Sequence, residues 1–509
     1  MKTESSSNNY VGAVLRGIGD DPDRIVIHQA DGRTVRAAEL IDLIHRTAHV
    51  LRDRGVRRGS TVSIMSGNRV EVLTIRYATN LLGARSVSLY EGMSAETLAV
   101  IAADVETDIL VTDKVDALPK VKDVLTFGPS TAGADLLALV EQAPSTPIPV
   151  EPVRADEIWS VRHTGGTTGH PKGILRAFGT YAARWSDAAN PAEPPVFLAC
   201  TTLAHVAGTE TDRALGQGGS VVLHPRFDPV KALADIERHR VTDSALMPPL
   251  LYQLTDQMLR EPVDTSSLRN VAYGGCASSP DRIAQAVAVF GAVFTQVYGQ
   301  LEAGFISALS PEDHLRYELL GTAGRALPGV EIRILAEDGS EVKQGESGEI
   351  CVRTPSASAG YLNNPELSAQ VWRDGLVHTG DVGFLDEEAY LHINGRVRDM
   401  VIVLGGHVYP TEVEDVLLSH PAVAAAAVFG VRDADSMEQV EAALVLRPGA
   451  TIDLDAVRSL VTTHMGAQYA PSGITVLDAI PLTDVGKPDK QLLRASWRAG
   501  ISGGQPVAG

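Results

Sequence analysis

The stretch Thr164-Gly165-Gly166-Thr167-Thr168-Gly169-His170-Pro171-Lys172-Gly173 decides how the rest of the chain is read. Its glycines leave backbone N–H groups approachable, its threonines add hydroxyl donors, and Lys172 adds a cation. A loop that wraps a polyphosphate needs this combination. The order is not that of a Walker A loop, because Lys172 follows Pro171 and Gly173 stands where Ser or Thr would bind magnesium. A Gly/Thr-rich turn alone is an ordinary surface loop, so the flanking pattern must carry part of the argument.

On the N-terminal side, from Asp21 to Val150, short strands alternate with helices. Arg24–His28, Thr61–Met65 and Ser86–Leu89 read as strands. Apolar residues at Leu40, Ile41, Ile44, Ala48 and Leu51 have helical spacing, and Val70–Leu82 reads as a second helix. The Pro-rich run Gln142–Pro149 reads as a surface connection. A second alternating region runs from Ile158 to about Leu309, with strands at Val196–Ala199, Ser220–Leu223 and Ser244–Met247. This rhythm predicts parallel sheet with covering helices. From Gly329 to His392 the pattern becomes short strands separated by turns, such as Glu337-Asp338-Gly339-Ser340, which predicts a small antiparallel unit. After Arg398-Asp399 a fresh pattern begins, with strands at Met400–Leu404 and Val423–Phe429 and a helix at Thr411–Ser419. The expectation is an α/β fold. Residues 1–398 form a large domain of parallel-rich sheets with a small β subdomain, and residues 399–509 form a small, mobile α+β domain.

Composition narrows the function. Of 509 residues, 44 are Lys or Arg and 63 Asp or Glu, and the net charge of −19 disfavours nucleic acid or acidic lipid as a general partner. Cys200, Cys276 and Cys351 lie far apart, without zinc-ligand spacing, and three is an odd count. The polar start lacks the apolar core of a secretory signal, and no stretch approaches the length of a membrane span. A reduced, cytoplasmic protein without integral membrane contact is expected; association into a homodimer is left open.

With these motifs in order, the chain resembles the adenylate-forming superfamily of acyl-CoA synthetases, peptide-synthetase adenylation domains and luciferases. The Thr164–Gly173 string resembles its phosphate loop, with Gly165 in place of the usual serine. Leu203-Ala204-His205-Val206-Ala207-Gly208 resembles the segment whose histidine sits between acid pocket and reaction centre. Tyr273-Gly274-Gly275-Cys276-Ala277 resembles the turn beside adenine. Tyr298-Gly299-Gln300-Leu301-Glu302 resembles Tyr-Gly-x-Thr-Glu, with Leu301 replacing the threonine. The resemblance implies ATP and Mg2+ as ligands. Thr164, Gly165, Gly166, Thr167, Thr168 and Lys172 would hold phosphate, and Gly274, Gly275, Cys276, Tyr298 and Gly299 would border adenine, with Tyr298 stacked on it. Asp381, with Ile393 and Arg396, would hold the ribose side, and Glu302 would bind magnesium. His205, Thr209, Tyr273, Gln300 and Gly304 would line the acid pocket. Pro481-Leu482-Thr483-Asp484-Val485-Gly486-Lys487 resembles the C-terminal catalytic motif, which makes Lys487 the catalytic cation and Asp399 the hinge. Gly360-Tyr361-Leu362 and Gly324–Gly329 match family landmarks that are mainly structural.

The implied reaction is attack of an acid on the α-phosphorus of ATP, loss of pyrophosphate, and transfer of the acyl group to a second nucleophile. CoA is the commonest acceptor in the branch resembled. The loop Leu404-Gly405-Gly406-His407-Val408-Tyr409-Pro410 departs from the CoA-facing form at Leu404 and His407. The alternatives are a carrier-protein thiol, an amine in amide formation, and a diazotase that activates nitrite for an aryl amine. The helix after His205 reads Gly208-Thr209-Glu210-Thr211-Asp212-Arg213. Lining the pocket, it would disfavour a long alkyl chain and suit a small polar or aromatic acid; alternatively these charges pair with each other or face solvent. A silent fold relative that only binds a nucleotide is disfavoured by the retention of Lys172, Glu302, Asp381, Arg396 and Lys487.

Overall fold

The computed structural model describes residues 8–89, 93–114, 118–164, 171–186, 193–396, 399–403, 406–432, 438–483 and 486–498. Gly165, Gly166, Thr167 and Thr168 of the expected phosphate loop therefore lie outside the described residues, as do Leu404 and Gly405; the side chains of Thr164 and His407 do too.

Two large sheets form the body. In the first, the parallel strands Asp123–Thr126, Ile109–Thr112, Thr61–Met65, Arg85–Ser88 and Ile158–Thr164 lie side by side, and Lys172–Ala177 closes one edge antiparallel. In the second, Phe294–Gln300, Asn270–Gly274, Asp243–Leu246, Val196–Ala199, Ser220–Leu223 and Ile25–Gln29 run parallel, flanked by antiparallel strands at both ends. Strands such as Thr61–Met65 are buried on every residue, as a parallel strand covered on both faces must be. The helices Ala37–Asp53, Val70–Leu81 and Val206–Gly216 share a core with residues of both sheets, including Ile27, Leu40, Val62, Phe197 and Leu215. The helices Pro229–His239, Pro248–Arg260 and Pro280–Phe290 each begin with proline at the first turn, where its missing N–H costs nothing. They cover the other face of the second sheet around Ile236, Leu251, Leu254 and Ile283.

The mixed α/β class and the parallel-rich sheets stand as expected. The strands Thr61–Met65, Val196–Ala199 and Ser220–Leu223 match the sequence reading residue for residue, and the other elements agree within a few residues at their ends. The small antiparallel unit is present: Glu331–Leu335, Gly348–Arg353, Leu376–Leu385 and Leu391–Arg396 pair in succession. Beyond it, Val423–Arg432 and Glu438–Leu446 pair antiparallel, and Gly473–Val476 adds parallel to the second. With the helices Pro410–Leu418 and Leu454–Met465 they enclose a separate core of Val413, Leu417, Val428, Leu444, Val457 and Val461. Among the described residues no helix is long and apolar enough to cross a membrane.

Candidate active site

Ligands of open parallel sheets bind outside the carboxyl ends of the strands. Here a cavity of about 800 Å³ opens at those ends. Its wall includes Thr201, Leu246, Gly274, Gly275, Gln300 and Glu302 from the second sheet, and Arg162 and His163 from the first. Lys487 reaches it from the C-terminal unit. Its Cε lies 3.6 Å from where a Cβ on Gly275 would stand.

His205 begins the helix Val206–Gly216. Burial, then the nearby Arg162, Lys487 and Arg176, push its imidazole down to about 3, so the ring is neutral near pH 7. The positive end of the helix works in the same direction and favours an anion beside it. One turn on, Thr209 also lines the cavity. Gly208 is required at its place, since a Cβ there would sit 2.0 Å from the carbonyl oxygen of Leu203 and 2.8 Å from Nη1 of Arg76.

The charges of this helix do not line the pocket. Asp212 is fully buried and pairs with Arg76, while Tyr77 and Tyr181 donate hydroxyls to it at 2.5 and 2.7 Å. Burial pushes the Asp212 carboxyl up, opposed by the Arg76 guanidinium and the two hydroxyls. Glu210 bonds Arg213 at 2.6 Å, and Arg213 bonds Asp243 at 2.8 Å. Glu210 and Arg213 pair with each other as one of the readings allowed, whereas Asp212 pairs with Arg76, which that reading did not name; the argument from Glu210 and Asp212 to a polar acid falls away.

Glu302 lines the cavity and accepts the Tyr361 hydroxyl at 2.8 Å. Tyr361 also lies below Lys172, whose Nζ is 5.7 Å from the ring centroid. A wall carboxylate near Lys172 has the chemistry that fits a divalent cation. Gln300, Gly299, Gly304, Gly274 and Tyr273 all contribute to the wall. The Nε2 of Gln300 is buried without a hydrogen-bond partner among the described residues. The Tyr273 hydroxyl is engaged by His314 Nε2 at 3.0 Å.

Asp381 accepts from Arg396 Nε at 2.9 Å and from the Tyr298 hydroxyl at 2.6 Å, and its side chain is 5% exposed. Arg396, Thr379 and Gly380 are on the cavity wall; Asp381, Tyr298, Cys276 and Ile393 are not among its lining residues. Cys276 is instead half-buried just past Gly275, and Ile393 packs in the small antiparallel unit. Tyr298 presents its hydroxyl to Asp381 and its ring to that same unit.

On the C-terminal side, Thr483 and Lys487 close a tight turn, with Thr483 N donating to the Lys487 carbonyl at 2.7 Å and Gly486 N to the Thr483 carbonyl at 2.7 Å. Gly486 has φ +78°, and a Cβ there would stand 2.4 Å from Cε of Met247, the residue that follows the strand Asp243–Leu246. The unit is further held by Asn394, which donates from Nδ2 to Glu412 at 2.7 Å and accepts the Thr411 hydroxyl on its carbonyl.

Reading the sequence missed several wall residues: Arg162, His163, Arg176, Arg184, Tyr181, Phe305 and Tyr361. Burial pushes His163 down to about 4. It also missed a cluster of Glu349, Cys351 and His378, whose ligand-type atoms lie within 4.8 Å of one another. His378 Nδ1 donates to Glu349 at 2.8 Å and its Nε2 accepts from Arg373 Nε at 3.1 Å, which sets a guanidinium at the edge of this cluster.

Comparison with known proteins agrees with this geometry. The family model described as AMP-binding enzyme matches residues 16–362, and that of the AMP-binding enzyme C-terminal domain matches 412–487. A medium/long-chain-fatty-acid–CoA ligase of Mycobacterium tuberculosis is 34% identical, over 96% of this chain and 90% of its own. An indoleacetate–CoA ligase of Aromatoleum aromaticum is 32% identical, over 94% of this chain and 96% of its own. The solved structure of an amide bond synthetase from Marinactinospora thermotolerans superposes with a TM-score of 0.85 at 36% identity, covering 96% of this chain and 99% of that one. With a family model spanning most of the chain and relatives matched nearly end to end, the protein belongs to the AMP-binding enzymes of the adenylate-forming superfamily and is an AMP-forming ligase.

Proposed function

We propose that the chain activates a carboxylic acid with ATP, releases pyrophosphate, and passes the acyl group from the adenylate to the thiol of CoA. The observation that carries this reading is the meeting of Lys487 with Gly275 and His205 in one cavity, since these groups come from separately folded parts of the chain. The acid oxygen attacks the α-phosphorus as the bond to the pyrophosphate oxygen breaks. Negative charge concentrates on the α-phosphate, where the Lys487 ammonium opposes it. Neutral His205 adds no cation to the acid and can shape the pocket wall or hydrogen-bond the carboxylate. Glu302 would hold magnesium, which neutralises phosphate charge during the displacement. Asp381, fixed by Arg396 and Tyr298, has the acceptor capacity for ribose hydroxyls. Asp399 would serve as the hinge by which the C-terminal unit, residues 399–509, turns between the two half-reactions.

A second reading replaces CoA with an amine. It is favoured by the likeness to an amide bond synthetase along nearly the whole of both chains. The test is pyrophosphate release from ATP over a panel of acids, each with CoA, with an aryl or alkyl amine, and with neither. Acyl-CoA formation with turnover dependent on CoA supports the first reading. Amide formation at undiminished rate without CoA sinks it in favour of the second.

A further inference from the structure

Arg176 carries a charge that the adenylation chemistry does not use. It lies on the strand Lys172–Ala177, half-buried on the cavity wall. Among the described residues it forms no ion pair, and its Nη1 is buried without a hydrogen-bond partner. Its guanidinium lies 4.8 Å from the centroid of a Trp159 ring and 5.4 Å from that of Tyr181. Ser160 stands opposite Arg176 and Arg162 opposite Ile174, so Arg162 and Arg176 share one face of the hairpin. Arg184, from the helix Phe178–Ser186, lies 5.6 Å from the ring of Phe305 and 5.9 Å from that of Tyr181. All three arginines line the cavity.

Asp212, the acid beneath this hairpin, forms no ion pair with Arg176 among the described residues. Asp212 already receives Arg76, Tyr77 and Tyr181. Desolvation, and then the charge of Arg162, push the Arg176 guanidinium well below its ordinary value. A cation held partly out of water without a counter-charge is costly unless a ligand supplies one. A guanidinium offers a planar fork that matches a carboxylate, and the aromatic rings around it favour a flat spacer.

We propose that Arg176, flanked by Arg162 and Arg184, determines specificity by binding a second acidic group on the substrate, so that the preferred acid is a dicarboxylate. The proposal rests on the adenylation reading above. The reacting carboxylate faces Lys487 and the α-phosphate, and the second carboxylate accepts from Arg176 beside the paired rings of Trp159 and Tyr181, whose centroids are 4.4 Å apart.

The test compares dicarboxylic acids with their monomethyl esters in the pyrophosphate-release assay. The panel holds the straight-chain diacids from malonate to adipate and the three benzene dicarboxylates, with fatty and benzoic acids as controls. At least one diacid is expected to exceed its monoester in kcat/KM by about 30-fold or more, the range of a broken buried charge pair. In Arg176→Met that ratio should collapse toward one, with turnover of the monoester retained. Kd for ATP, unchanged in the variant, shows that it is folded; should it fail to fold, the wild-type ratios and Arg176→Lys decide. Monoesters and neutral acids used as well as every diacid would overturn the proposal. So would an equal loss for both members of a pair in Arg176→Met, which would assign the guanidinium to the reacting carboxylate. Absence of pyrophosphate release with every compound, controls included, would overturn the adenylation reading itself, and this proposal with it.

Discussion

Strand ends rooted in packed sheets line much of the cavity, whereas Lys487 reaches the same cavity from another unit. The first part is fixed by burial: Leu198, Val271 and Phe294 lie at or below 2% exposure just behind the wall. The second is held by hydrogen bonds at Asn394 and by the approach of Gly486 to Met247. Groups that must recognise a ligand gain from rigidity, while on the proposed mechanism a cation needed for one half-reaction would gain from an attachment that can be released.

This difference can be broken by experiment. Asp212→Ala strands Arg76 in the rigid part and should lower stability by about 3–5 kcal/mol, read as the shift of the urea midpoint; an unchanged midpoint would mean that the wall does not depend on that buried unit. Lys487→Ala should leave the midpoint in place and slow adenylation by about 10²–10³-fold, with ATP affinity nearly retained. Full adenylation activity in this variant would remove the lysine from the mechanism.

The two neutral imidazoles give a pH signature of the rigid part. His163 and His205 are held near 4 and 3, against 6.5 when unfolded. Between those values the unfolded chain binds protons that the folded chain does not. Their contribution is therefore fully present above pH 6.5 and lost as pH falls. Each ring contributes a slope of up to about 1.4 kcal/mol per pH unit. His163→Gln should flatten the stability profile between pH 6.5 and 5 by about that slope, measured against wild type by urea titration. The smallest effect is expected at the junction of the two parts. Gly486→Ala places a side chain at φ +78° against the mobile end of Met247, a cost of about 1 kcal/mol. It should reduce adenylation several-fold with no change in the urea midpoint of the body.

Elements with a strong local period were legible in the sequence. Thr61–Met65 and Ser220–Leu223 announce themselves by β-branched runs between turn residues, and the helix at Ala37–Asp53 by its apolar spacing. The order of motifs likewise pointed to Lys172, Gly275, Glu302, Arg396 and Lys487, which do meet at one cavity. What stayed hidden depends on which partner folding brings up from far along the chain. The sequence could not decide whether Asp212 lines the pocket, because Arg76 and Tyr77, its partners, lie more than 130 residues earlier. Tyr361 looked structural because its hydroxyl partner, Glu302, is 59 residues away. Arg176 carried one signal that was available: it sits four residues after Lys172, on the same face of a strand. That spacing places a second cation along the wall the lysine occupies.

The pairing of Tyr361 with Glu302 also gives the site an optical handle. The Tyr361 ring meets Trp372 edge-on, with centroids 5.0 Å apart and planes at 74°. Trp372 is one of only four tryptophans in the chain. A ligand that draws Glu302 toward phosphate changes the hydrogen bond on the tyrosine that this indole touches. Intrinsic fluorescence, compared between wild type and Trp372→Phe, can therefore follow the arrival of nucleotide in real time and without a label.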